Sequence, residues 1–194
     1  QARPAQAGFD ADQLYRRHIK GVYGDLLSFM GRMELPMDEA HQQFWVSCQL
    51  AALQLVDAVK DAKHLQKNLG HYLEQPPSGA RTCYVELRRH LLLALHELRE
   101  LARAELEDEV WRSRLAWLDE QAATFDAQFR QRLFSEVRYG HLDGLQTSSL
   151  MNDLGYVSRI FQSLRNVLML GNEQALFREL RKFGEEQESL IRLP

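Results

Sequence analysis

Leu55-Val56-Asp57-Ala58-Val59-Lys60-Asp61-Ala62-Lys63-His64-Leu65-Gln66-Lys67-Asn68-Leu69 is the stretch that decides the fold class. At about 100° per residue, Leu55, Ala58, Ala62, Leu65 and Leu69 gather on one face of a helix, and Leu73 extends it. Asp57, Asp61, His64 and Asn68 form a narrow stripe flanking that face, while Lys60, Lys63 and Lys67 turn away from it. Composition carries the helical reading to the whole chain. Its 194 residues include 32 Leu but only 12 Val plus Ile. Straight-chain residues lose little rotamer freedom in a helix, whereas β-branched ones lose more. The expectation is an all-α protein of long helices, and all-β and parallel α/β folds are excluded.

The helix breakers divide the chain. A first helix begins near Asp10 or Asp12, either of which can cap it, and keeps an apolar stripe to Met33. After Leu35-Pro36, a second runs from about Asp38 to Tyr72 or Leu73 and stops before Gln75-Pro76-Pro77-Ser78-Gly79. Residues 80–139 hold neither Gly nor Pro, too long a span for one globular helix. A turn is expected at residues 105–109, where acidic residues lead into Val110 and Trp111. Gly140 caps the fourth helix, Asp143 and Gln146 form a capping box for the fifth, and Gly171-Asn172 separates a sixth ending near Leu190 or Arg192. Trp45, Trp111, Trp117, Phe125 and Phe129 are expected to fill the core.

Six helices fall into two sets of three. Residues 1–9 read as a linker, 10–106 as one bundle and 107–194 as a second. A shift of 92 residues lays the fifth helix on the second, pairing Leu53 with Leu145, Asp61 with Asp153, Leu65 with Val157 and Lys67 with Arg159. Any two amphipathic helices can give such a match, so duplication stays open at this level.

Bulk properties exclude several functions. A net charge of -3 and a pI near 6.2, with dispersed basic residues, argue against nucleic-acid binding. The longest apolar runs, such as Leu91-Leu92-Leu93-Ala94-Leu95, fall far short of the roughly 18 residues that span a bilayer. Gln1 to Phe9 is Ala/Gln-rich and shows no apolar h-region of a signal peptide. Cys48 and Cys83 form no CxxC pair and read as two reduced thiols of a cytoplasmic protein.

Carboxylates four residues apart on a helix repel unless a cation, a proton or a basic partner lies between them. Asp57 and Asp61 therefore read either as ligands for a hard metal ion or as a solvated edge neutralised by Lys60 and by Arg from neighbouring helices. No Glu-x-x-His motif, Gly-x-Ser-x-Gly elbow or glycine-rich phosphate loop occurs. The chain does not read as a catalyst.

The stretch from Leu55 to Leu69 resembles a characteristic segment of PhoU-like domains, more narrowly the cytosolic C-terminal domain of bacterial sodium/phosphate cotransporter-family proteins. Ile19-Lys20-Gly21-Val22-Tyr23-Gly24-Asp25 resembles that domain's opening helix, and Thr147-Ser148-Ser149-Leu150-Met151-Asn152-Asp153 its fifth. The resemblance implies two tandem antiparallel three-helix bundles. It also implies a non-catalytic role in modulating phosphate transport, at the cytoplasmic face of the inner membrane. The expected partner is a transporter domain of the same polypeptide, encoded as apolar helices before Gln1, or a separate transporter complex.

Family members carry Glu/Asp-x-x-x-Asp motifs that bind clusters of metal ions, so the resemblance makes Asp57, Asp61 and Asp153 candidate ligands for divalent or iron ions. Two departures weaken the match. Ser149 stands at the other acidic position of the second half, and Pro36 interrupts Glu34 and Asp38. Lys60, Lys63 and Lys67 are candidate contacts for acidic lipid headgroups or transporter loops, or else a solvated face. A second copy of the chain is a further candidate partner. The rival from another class is a metal-dependent helical-bundle enzyme built on Asp57, Asp61, His64 and Asp153, and a stand-alone PhoU-type adaptor or a plain helical spacer completes the alternatives.

Overall fold

The computed structural model describes residues 11–32 and 39–173, and all regular structure among them is helical. A first rod joins α1 (Ala11–Leu14), a π-helical turn (Tyr15–Ile19) and α2 (Lys20–Gly31). Then come α3 (Glu39–Leu73), α4 (Gly79–Arg103), α5 (Asp108–Arg138) and α6 (Gly144–Glu173). The expected sixth helix, Asp10 and the segment around Pro36 lie outside the described residues.

The turns follow from local chemistry. Ser78 caps α4 by accepting from the Arg81 N–H at 3.2 Å. Gly79 is irreplaceable for a steric reason: a Cβ there would meet the His141 carbonyl oxygen at 2.5 Å, so the two loops at this end pack backbone to backbone. The chain breaks between α4 and α5 at residues 104–107, where the turn was expected. Its geometry is tied by the Trp111 indole, whose Nε1–H donates 3.2 Å to the Leu101 carbonyl in the last turn of α4. Gly140, at φ +74°, ends α5 in a Schellman arrangement, with His141 N–H donating to Glu136 and Gly140 N–H to Val137. The Asp143–Gln146 capping box forms in both directions, at 2.7 and 3.0 Å.

The core belongs to α3, α4, α5 and α6 together. One cluster joins Leu65 of α3, Tyr84 and Leu87 of α4, Phe129 and Leu133 of α5, and Leu150, Leu154 and Val157 of α6. A second, at the opposite end, joins Leu98 and Leu101 to Trp111, Leu115, Leu118 and Phe161. Burying each such side chain contributes about 1.5–3 kcal/mol. Helices on either side of residue 106 thus share their apolar faces, and α6 packs against all three of the others. α2 is more thinly seated: it buries Met30, while Val22 and Phe29 stay exposed.

Two expectations are corrected. Gly171 does not end the fifth helix, because α6 continues to Glu173. Leu164, Leu168 and Met169 pack on the second cluster just before it, and that packing outweighs the roughly 1 kcal/mol a helical glycine costs. Trp117 is not core: it lies 46% exposed on the outer face of α5, under the Arg114 guanidinium at 5.4 Å. Trp111 and Phe129 are buried as expected, with Phe125 partly so. Both cysteines are free thiols, Cys83 fully buried.

Candidate functional site

The polar stripe of α3 lies along α6. Gln54 meets Asn166, Asp61 meets Arg159 and Asn68 meets Asp153, so the positions advance by seven along α3 as they recede by seven and six along α6. This is the register of an antiparallel heptad seam. Asp61 accepts a bidentate pair from Arg159, at 3.1 and 3.2 Å. His64 stacks on Tyr156 with centroids 5.4 Å apart, and the Arg159 guanidinium lies 4.8 Å from the same ring. Asp57, at the outer edge, has Lys60 as its basic neighbour at 3.9 Å. Lys60 and an α6 arginine are thus the charge partners of Asp57 and Asp61.

Asp153 sits elsewhere. It is fully buried and accepts from the Tyr84 hydroxyl at 2.6 Å and from the Asn68 amide at 3.3 Å. Burial pushes the Asp153 carboxyl above its ordinary range, partly offset by the hydrogen bonds from Tyr84 and Asn68. Burial likewise raises the Tyr84 phenol, and the adjoining Asp153 carboxylate adds to the effect. Asp153 and Asp61 engage the facing helix two turns apart, so they do not share a centre. Among the described residues, no three of His, Cys, Asp and Glu are grouped to hold a metal ion.

The three lysines also separate. Lys60 and Lys67 are exposed, but Lys63 bonds Asp12 of α1 at 2.7 Å and lies 5.7 Å from the Tyr15 ring centre. Lys63 thus fastens the first rod to α3 rather than facing outward.

The feature that sequence reasoning missed is a slot of about 510 Å³ between α5 and α6. A polar clasp closes each end. Arg165 donates to Asp119 through Nε and Nη2 at 2.9–3.1 Å. Two turns on, roughly 10 Å along α5, Asp126 accepts from Ser158 at 3.1 Å and from Arg130 at 2.7 Å. Between the clasps α5 presents Ala122, Ala123 and Phe125, and the small side chains of the two alanines leave the gap. Leu154, Val157 and Phe161 of α6 give it an apolar wall.

His90 of α4 reaches the slot from behind, its ring 3.6 Å from that of Phe125 and within 4° of parallel. Burial pushes the His90 imidazole down to about 4, against an opposing pull from Asp126, so it is neutral at neutral pH. A smaller cavity of about 360 Å³ on the α4 side of α5 shares His90, Ala122, Phe125 and Phe161. The sequence signal was available in Asp119-x-x-Ala122-Ala123-x-x-Asp126, two acids two turns apart with a pair of small residues midway between them.

Among the described residues no helix is long and apolar enough to cross a membrane. No protein-family model, no curated protein and no solved structure matches the chain.

Proposed function

We propose that this chain is a non-catalytic, PhoU-like regulatory domain of a sodium/phosphate cotransporter, acting at the cytoplasmic face of the inner membrane to modulate phosphate transport. One observation carries the reading. The two helices matched by the 92-residue shift, α3 and α6, lie antiparallel and engage reciprocally: Asp61 of α3 reaches Arg159, and its counterpart Asp153 of α6 reaches back to Asn68. Such a quasi-twofold pair is what two repeated helical units would place at their junction. The Leu55-to-Leu69 resemblance lies on one member of the pair and the Thr147-to-Asp153 resemblance on the other.

A catalytic role draws no comparable support, since the polar groups of the seam are spent on one another. Lys60 and Lys67 supply the exposed charge for contact with transporter loops or acidic headgroups, each worth about 1 kcal/mol near an anionic surface.

The test is phosphate uptake by the source cells with and without this chain, under phosphate-poor and phosphate-rich growth. Removal should change how uptake responds to phosphate supply. An identical response in its absence would refute the proposal. Reading the frame upstream of Gln1 then separates the tethered form, which requires apolar helices of about 20 residues there, from a stand-alone adaptor.

A further inference from the structure

We infer that the slot between α5 and α6 binds an uncharged, planar aromatic molecule carrying one hydrogen-bond donor, of the indole or phenol class. The assignment goes beyond the transport reading and does not depend on it. Size comes first: about 510 Å³ lies within the range of small-molecule sites, which run from roughly 300 to 1,000 Å³. The clasps then set the charge. Asp119 is matched by Arg165, and Asp126 by Arg130 and Ser158, so neither carboxylate has an unmet demand for a cation. No cation of the lining is left over for an anion. A charged ligand would lose its hydration without gaining a counter-ion.

Shape follows from the walls. The parallel His90 and Phe125 rings and the Phe161 side chain offer flat apolar surface, on which an aromatic ring gains offset stacking. Polarity follows from what remains unpaired. Among the described residues, no side-chain hydrogen bond engages either ring nitrogen of His90, and a neutral imidazole keeps one nitrogen as an acceptor. The Gln162 amide N–H donates 3.1 Å to Asn166, which leaves its carbonyl oxygen as a second acceptor at the rim. A ligand N–H or O–H meets either.

The test is calorimetric titration of the full chain with indole, beside indole-3-carboxylate as the anionic control. Saturable one-to-one binding of indole is expected, with the carboxylate at least tenfold weaker. Ala122→Leu and Ala123→Leu each fill the gap and should weaken indole at least tenfold, while circular dichroism and Tm report that the helices stay intact. If Ala122→Leu fails to fold, Ala123→Leu decides, because that position is solvent-exposed at the slot's edge. Non-saturable uptake of indole, equal affinity for the carboxylate, or undiminished affinity in a folded Ala123→Leu variant would each overturn the assignment.

Discussion

Asp61 and Asp153 occupy equivalent places under the 92-residue shift, and the fold treats them oppositely. Asp61 lies at the outer edge of the α3–α6 seam beneath an exposed arginine, its charge matched by a charge. Asp153, at the other end of the same seam, is fully buried and takes its hydrogen bonds from neutral groups, the Tyr84 phenol and the Asn68 amide. A surface ion pair adds little to stability because water screens it. A buried carboxylate with neutral donors has large opposing terms, and removing any partner leaves an unsatisfied group where no water can reach. Residue type and spacing are the same at both ends. Burial decides which of them the fold depends on.

The contrast breaks most sharply at Asp153. Asp153→Ala should cost about 4 kcal/mol in urea unfolding, since it orphans the Tyr84 hydroxyl and the Asn68 amide and leaves a void. Tyr84→Phe keeps the packing and removes one donor from a buried carboxylate, so a loss of about 2 kcal/mol is expected by the same measurement.

Asp153→Asn separates charge from shape. The folded-state carboxyl titrates above the ordinary 3.8, so its contribution to stability is full below that pH and declines as pH rises through the folded value. The variant carries no such penalty. Its stability relative to the parent should rise from pH 3 to pH 7, and an unchanged difference across that range would remove burial as the cause. At the other end, where the exposed Arg159 covers Asp61, Asp61→Ala or Arg159→Ala should cost only about 1 kcal/mol, shrinking further in 1 M salt. A loss at Asp61 equal to that at Asp153 would abolish the comparison.

Much of the helix plan was legible because its signals are local. The Gln75-to-Gly79 loop and the Gly140 and Asp143–Gln146 caps act within a few residues of themselves, and the acidic entry to α5 marked the break before it. Gly171 misled because a glycine's local penalty is small beside tertiary packing, which a neighbourhood of sequence does not contain. The stripe of Asp57, Asp61, His64 and Asn68 was visible, and so was the choice between metal ligands and a neutralised edge. What was not visible is the partner of Asp61, Arg159, 98 residues beyond it. The slot depended on distance twice over: on two alanines facing α6 and on His90 arriving from a third helix.

The central position of α6 has a consequence for synthesis. Leu65 of α3 and Tyr84 of α4 complete their packing with Leu150, Leu154 and Val157, which emerge from the ribosome after almost everything they bind. At about 5–20 residues per second, the first three rods wait several seconds with apolar faces uncovered. Closing the bundle then joins positions nearly a hundred residues apart, so the entropy of a long loop is lost before the α3–α6 contacts repay it. Until α6 arrives, those faces are open to other chains, and the nascent protein has its greatest need of a chaperone.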